Sequence, residues 1–379
     1  MHIAVLSDTI SDARVAATPE TIKKYGSMGG RVSVQDGAGG GAGISDGDFA
    51  SAGARMVPDA RAAVDGADIV LSVNRPSLDA IRACKPGAIV IASMDPHRRD
   101  GSLDIMASSG VSAFAMEFMP RIARAQAMDV LSSQASLAGY RAIIDASAEL
   151  TRSFPMMTTA AGTVPPAQVF VMGAGVAGLQ AIATARRLGA TVTATDVRPA
   201  AKEQVQSLGA KFIAVEDEEF RASETAGGYA KPMSKEYQLK QQELIAAHIQ
   251  RQDVVITTAL IPGRAAPVLV TSGMIDTMRS GSVLVDLAVE RGGNIEGSKL
   301  GEIFVTSGGV RIIGNSTVAR VAATASNLYA RNLLCFVETM IDQSTSLLSV
   351  NWDDDLVRST NLTRDGAIVH PGLLGSTLN

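Results

Sequence analysis

Residues 168–196, QVFVMGAGVAGLQAIATARRLGATVTATD, constrain the fold of this chain more than any other stretch. An apolar β-rich run leads straight into Gly173, Gly175 and Gly178, spaced G-x-G-x-x-G, with Val176 and Ala177 between the last two. An Ala-rich helical run follows to Leu188, and a second β-rich run ends at Asp196, before Val197 and Arg198. In a β-α-β unit each glycine has its own task. The first permits the tight turn and the second lets backbone approach a pyrophosphate. The third lets the helix pack close to the strand, with its N-terminus facing the phosphates. A carboxylate at the second strand end hydrogen-bonds ribose hydroxyls and repels a 2′-phosphate, which favours NAD over NADP; Arg198 works against that exclusion. The glycine spacing alone often marks only a tight turn, whereas strand, glycines, helix, strand and acid together specify a dinucleotide site.

The rest of the chain repeats the alternation of short β-rich runs and Ala-rich helical stretches, the pattern of a parallel α/β sheet. One series comprises HIAVL, RVSVQ, DIVLSV, AIVIAS and VSAFAM; a second comprises QVFVMG, TVTATD, KFIAVE, DVVITT and SVLVDL. Each predicts one doubly wound, Rossmann-like domain, and 379 residues suit two. Helical stretches at 134–150 and 321–342 flank the second series. The chain is therefore expected to leave its first domain near Leu131 and return near Val321. The predicted domains are 1–131 with 321–379, and 132–320, with ligands in the cleft between them.

In the second domain, TTALIPGR (257–264) follows a strand and sets Thr258, Ala259 and Leu260 at the carboxyl edge, near the cofactor. DLAVERGGN (286–294) sets Asp286, Glu290 and Asn294 at the same rim. Strand-end turn chemistry is the alternative for each of these residues. The Gly-rich GAGGGAGISDGD (37–48) lacks a phosphate-binding lysine and the dinucleotide spacing, and reads as a turn-rich loop. SETAGGYAKPMSKEY (223–237) is too polar and Gly-rich for the core. It is either a hinged lid that brings Tyr229 over the cleft or a plain surface loop.

A net charge of −4 without a basic block excludes a nucleic-acid footprint. The two cysteines, Cys84 and Cys335, supply neither a disulfide framework nor a thiolate metal site, so no metal is expected and a reducing compartment suits the chain. Apolar runs such as VVITTALI fall short of the roughly 20 residues that span a bilayer. The first residues form a strand rather than a signal peptide. The expectation is a soluble chain, able to dock on a membrane partner.

MPRIARAQAMDVLSSQ (119–134) is dense in arginine, glutamine, aspartate and serine, yet holds no histidine, cysteine or lysine. It has the polarity of a site without the usual acid–base groups. A purely structural alternative is that Asp129 or Ser132 N-caps a helix starting near Ser133.

Several long motifs in order carry a family resemblance nearly end to end. They are RVAATPE (14–20), MPRIARAQAMDVLSSQASLAGYRAIIDA (119–146), TAAGTVPPA (159–167), GAGVAGLQAIATARRLGA (173–190), ETAGGYAK (224–231), TTALIPGRAAPVL (257–269) and TRDGAIVHP (363–371). The chain resembles the NAD(H)-binding alpha subunit, domain I, of proton-translocating (Re/Si-specific) NAD(P) transhydrogenase, among the alanine dehydrogenase-like proteins. The resemblance implies that it binds NAD(H) and exchanges hydride with NADP(H) on a partner subunit, while a membrane subunit couples the exchange to proton movement. It also implies a homodimer and a peripheral place on the cytoplasmic face of a bacterial inner membrane. The membrane portion is expected to be a separate chain, because the sequence reaches Asn379 without membrane helices. Carried over from the family, Arg121, Gln126, Asp129 and Ser132 are the nicotinamide-side residues. Val176 and Asp196 belong to the dinucleotide motif, and Tyr229 to the mobile loop. Arg124 reads as a solvated or interface charge.

That assignment gives the missing acid–base groups a reason. Hydride delivered to a carbonyl creates an alkoxide that needs a proton, so such sites keep a His or Lys. Hydride passed between two nicotinamides needs position and alignment only. The rival reading is an alanine dehydrogenase-like amino-acid dehydrogenase. In that enzyme a Lys stands where this chain has Asn74, a His where it has Ser93, and a Lys–Glu pair where it has Ser7–Asp8. No amino-acid substrate is therefore expected, and His97 reads as a solvated loop residue. A third reading is a non-catalytic NAD(H)-binding regulatory module. Departures from the transhydrogenase pattern lie at Ser7–Asp8, NSTVAR (315–320) and NIEGSKLG (294–301).

Overall fold

The structure, a computed structural model, describes residues 1–8, 12–98, 100–222, 233–261, 263–314, 317–342 and 344–374. The chain forms two compact units, Met1–Gln134 with Ala319–Asn379, and Ala135–Val318.

The first unit holds strands β1 (His2–Val5), β2 (Arg31–Gln35), β3 (Arg55–Val57), β4 (Ile69–Asn74), β5 (Ile89–Ser93) and β6 (Ser112–Ala115). They pair in parallel in the order β6-β5-β4-β1-β2-β3, the doubly wound arrangement, whose switch point lies between β1 and β4. Burial on both faces explains the near-continuous apolar runs of β4 and β5. Along β1 the side chains alternate: Ile3 and Val5 enter one core, Ala4 the other. An antiparallel pair, Asn361–Arg364 and Ala367–Ile368, extends the sheet beyond β6.

The second unit carries an exposed hairpin of β7 (Met157–Thr159) and β8 (Gly162–Val164). Its sheet comprises β9 (Gln168–Met172), β10 (Thr191–Thr195), β11 (Lys211–Phe212), β12 (Val254–Thr257), β13 (Val283–Asp286), β14 (Ile303–Val305) and β15 (Arg311–Ile313). The order is β11-β10-β9-β12-β13-β15-β14, with only β14 antiparallel, and the switch point lies between β9 and β12. Val169 and Val171 point to one core, Phe170 and Met172 to the other. The mixed α/β, Rossmann-like fold thus follows the two series of β-rich runs, with additions at the edges. KFIAVE forms a strand only over Lys211–Phe212.

One helix starts earlier than the sequence predicts and another ends earlier. The helix predicted over 134–150 runs Val130–Glu149, and that over 321–342 runs Ala322–Glu338. Residues 37–48 are turns closed by Ser45, which caps the helix Asp46–Ser51. The proposed loop 223–237 ends earlier than expected: Ser234 caps a helix, Lys235–Ile249, by accepting from the Tyr237 N–H. Among the described residues no helix is long and apolar enough to cross a membrane.

Candidate functional site

The glycine turn sits at the carboxyl end of β9, beside the switch point. Gly173 has φ +103°, and a Cβ there would lie 2.4 Å from Thr258 Oγ1. Gly178 is equally constrained: a Cβ on it would stand 1.8 Å from the Gly173 carbonyl oxygen. Gly175 is the opposite case. It N-caps the helix Val176–Arg187 with φ −74°, and a Cβ there would meet nothing within 4 Å. Two glycines are therefore required by packing, and the third guards open space at a helix N-terminus, where an anion is best received. These residues fit a dinucleotide pyrophosphate.

Asp196, just beyond β10, accepts the Ala174 N–H on Oδ2 at 2.7 Å and so ties the second strand end to the turn. Arg198 folds back on the same carboxylate: its backbone N–H and Nε donate to Oδ1, both at 2.9 Å, and Nη2 donates to Oδ2 at 3.0 Å. Val176 at the start of its helix, and Val197 and Leu260 on the loops after β10 and β12, are exposed apolar residues, and Ala177, next to Val176, is half-buried. Thr258 Oγ1 donates to the Gly173 carbonyl at 3.1 Å, which fixes the turn against the neighbouring strand end.

On the rim after β13, Asp286 and Asn294 are turned inward, while Glu290 is exposed. Asn294 is fully buried. Its Nδ2 donates to the carbonyls of Ala259 and Pro267, and its Oδ1 accepts the Ala259 N–H at 3.0 Å. Asp286, also fully buried, accepts the N–H groups of Ala288, Asn294 and Ile295. Asn294 latches the Thr258–Leu260 loop, and Asp286 latches the turn that carries Asn294. Asn294→Ala is expected to lower stability by about 2 kcal/mol, because it strands three part-buried backbone groups of Ala259 and Pro267. Urea unfolding measures this, and a loss under about 0.5 kcal/mol contradicts the latch.

Residues 119–134 belong to the first unit. Ala123–Met128 form a 3-10 helix whose Ala125 and Met128 are buried, while Arg121 and Gln126 are exposed. Asp129 caps the following helix: Oδ1 accepts the Ser132 N–H at 2.9 Å and Oδ2 accepts the Ser132 hydroxyl. The helix starts at Val130, not near Ser133, because this pair closes its first turn. Arg124 makes a two-pronged ion pair with Asp354, both contacts at 2.7 Å, and its hydrogen bonds hold that carboxyl below the usual range. Asn332, on the helix Ala322–Glu338, donates to the Ala127 carbonyl and accepts from Ser133 Oγ. Asp354 and Asn332 escaped the sequence reading. The signals were an Asp run before a helical stretch and an Asn among the apolar residues of a helix.

The alanine dehydrogenase positions of the first unit are engaged internally. Asn74 Nδ2 donates to Asp12 Oδ2 at 3.2 Å, and Asp12 holds Arg14. Ser93 N–H and Oγ meet the Tyr329 hydroxyl. Asp8 accepts from Ser72 Oγ and the Val73 N–H, and burial raises its pKa. His97 is exposed, its ring edge-on to Phe118. Tyr229 lies outside the described residues, as do Asn315 and Ser316 of NSTVAR. Among the described residues no three His, Cys, Asp or Glu side chains group as a metal site.

The family models described as the N-terminal and C-terminal domains of alanine dehydrogenase/PNT match residues 8–138 and 142–371. A relative from Rhodospirillum rubrum, the first portion of an NAD(P) transhydrogenase subunit alpha, is 51% identical over 96% of each chain. A crystal structure of transhydrogenase from Sinorhizobium meliloti superposes with a TM-score of 0.88 at 54% identity, covering 97% of this chain and 100% of the other. Alanine dehydrogenase from Mycobacterium tuberculosis is 30% identical over 79% of this chain and 75% of its own.

Proposed function

Because the chain belongs to the alanine dehydrogenase/PNT family, we propose that it is the NAD(H)-binding subunit of a proton-translocating transhydrogenase. It exchanges hydride directly between NAD(H) bound here and NADP(H) held by a partner subunit, and a membrane-spanning subunit couples that exchange to proton movement. The observation that carries this reading is the make-up of residues 119–134. Their side chains can position a nicotinamide, and none is a histidine, cysteine or lysine that would protonate a carbonyl product.

Bound NAD(H) supplies the hydride donor or acceptor. Gly173, Gly175 and Gly178 receive its pyrophosphate at the helix N-terminus. Asp196 accepts its ribose hydroxyls once the Arg198 guanidinium swings away, because Arg198 and the Ala174 N–H fill all four acceptor sites of the carboxylate. Val176, Ala177, Val197, Arg198, Thr258, Ala259 and Leu260 complete the cofactor's surroundings. Asp129 and Ser132 fix the carboxamide, Arg121 braces, and Gln126 reaches toward the second nucleotide. The subunit works as a homodimer on the cytoplasmic face of the membrane. The exposed hairpin β7–β8, flanked by exposed Met156, supports such self-association.

With a cognate NADP(H)-binding domain present, the purified chain is expected to catalyse NADH oxidation by a reducible NADP analogue. NADH that binds but transfers nothing under those conditions counts against the proposal. Alanine-dependent NAD reduction would favour the dehydrogenase reading, which the internal bonds of Asn74 and Ser93 oppose. Asp196→Ala is expected to narrow the preference for NADH over NADPH at least tenfold, measured by equilibrium binding of both. An unchanged preference places NAD selection elsewhere.

A further inference from the structure

A second concavity in the Ala135–Val318 unit, about 480 Å³ in volume, lies at the other end of the strands from the glycine turn. Gln168, at its edge, begins β9, whereas Gly173 follows that strand, so about 17 Å of extended chain separates them. Lys211, Arg251 and Arg279 line it, with His248, Gln252 and Thr193.

The sheet register explains its chemistry. One transverse row runs Ile312, Leu284, Val255, Phe170, Thr193, Lys211 across six strands. The first four belong to one apolar core, which stops at Phe170. His248 closes that core with its ring edge-on to Phe170, centroids 4.8 Å apart, and the row turns polar from Thr193 outward. Its Nε2 lies 2.8 Å from Thr193 Oγ1 and 3.2 Å from Gln252 Nε2, so Gln252 donates to it. Burial lowers the His248 pKa, with help from Lys211 and Arg251, and the ring is neutral at pH 7. Lys211, Arg251 and Arg279 have no carboxylate partner among the described residues. Asp253, next to Gln252, is committed to Arg152 and the Gln168 N–H.

Three exposed cations without carboxylate partners among the described residues line one hollow, and the dehydrogenation or hydride chemistry of the glycine turn uses none of them. A multivalent anion can meet all three at once, and arginine matches phosphate oxygens two at a time. We propose that this pocket binds a phosphate-class anion, either a soluble polyphosphate or the headgroup of an anionic lipid. His248 and Gln252, hydrogen-bonded to each other, form the wall of the hollow beside the three charges.

The test uses the full chain. Inorganic pyrophosphate is titrated while the His248 imidazole resonance is followed by NMR; the chain has four histidines, and His248→Gln assigns the signal. The expected result is a saturable shift, with His248 titrating at higher pH once the anion is bound. The double variant Lys211→Glu/Arg279→Glu is expected to weaken binding at least tenfold and to leave NADH affinity unchanged. In parallel, the chain is sedimented with phosphatidylglycerol/phosphatidylcholine vesicles and with phosphatidylcholine alone. Binding to the anionic vesicles that the double variant loses assigns a lipid headgroup; saturation by pyrophosphate without vesicle binding assigns a soluble anion. No response in either arm, or equal responses from both proteins, overturns the proposal. NADH binding is measured separately, so this result does not depend on the transhydrogenase reading.

Discussion

Gly175→Ala is expected to fold almost as stably as the parent chain yet bind NADH at least tenfold more weakly, while Gly178→Ala loses stability itself. The difference follows from what each new methyl group would meet. At Gly178 it would stand 1.8 Å from the Gly173 carbonyl, a backbone atom that cannot move aside without opening the turn. A cost of at least about 3 kcal/mol is expected, at the upper end of overpacking penalties. At Gly175, φ is −74° and nothing lies within 4 Å. Alanine loses only the N-cap preference for glycine, about 1 kcal/mol or less. Its methyl group would instead fill the space into which a pyrophosphate must settle, and a tenfold loss of affinity corresponds to about 1.4 kcal/mol. Thermal unfolding and NADH titration of both variants check the pair. Gly175→Ala with unaltered NADH affinity would show that the pyrophosphate is not received at this residue.

The contrast between those glycines also marks how far the sequence could be read. G-x-G-x-x-G, the flanking β-rich runs and Asp196 identified the turn, because each residue type there answers a local steric or electrostatic demand. The central strands were legible for the same reason: burial on both faces leaves an unbroken apolar run, as in β4 and β9. Strands such as Arg55–Val57 and Ala367–Ile368 were not, since two or three residues at a sheet edge carry no readable period. Residues 286–294 show a different limit. Asp286 and Asn294 looked like rim groups available to a ligand, but their hydrogen bonds close on backbone brought near by the fold. Polarity at a strand end does not tell whether a side chain faces a ligand or its own loop. The 119–134 segment mixes both kinds. Asp129 and Ser132 cap a helix and are also candidate nicotinamide groups, whereas the anchors Asp354 and Asn332 come from more than 200 residues away.

Gln126 is the residue of that segment at which structure and chemistry separate most cleanly. Substituting Asp129 or Ser132 removes a helix cap, at about 1 kcal/mol, so any loss of activity would have two explanations. Gln126 is exposed, and its side-chain amide has no hydrogen-bond partner among the described residues. Its neighbours Ala125 and Met128 fill the core below, and the Arg124–Asp354 pair holds the turn in place whatever occupies position 126. Gln126→Ala is therefore expected to change stability by less than about 0.5 kcal/mol. If hydride exchange depends on alignment of two nicotinamides, loss of a group that spans toward the second nucleotide costs rate rather than affinity. A misplacement on the order of 1 Å is worth about a hundredfold in rate. The expected result is NADH affinity within about twofold of the parent and transfer to an NADP analogue on the partner domain slowed about a hundredfold, followed by stopped-flow absorbance. Equal losses of affinity and rate would move Gln126 into the NAD(H) pocket. Unchanged transfer would remove it from the reaction altogether and leave Arg121, Asp129 and Ser132 as the positioning groups.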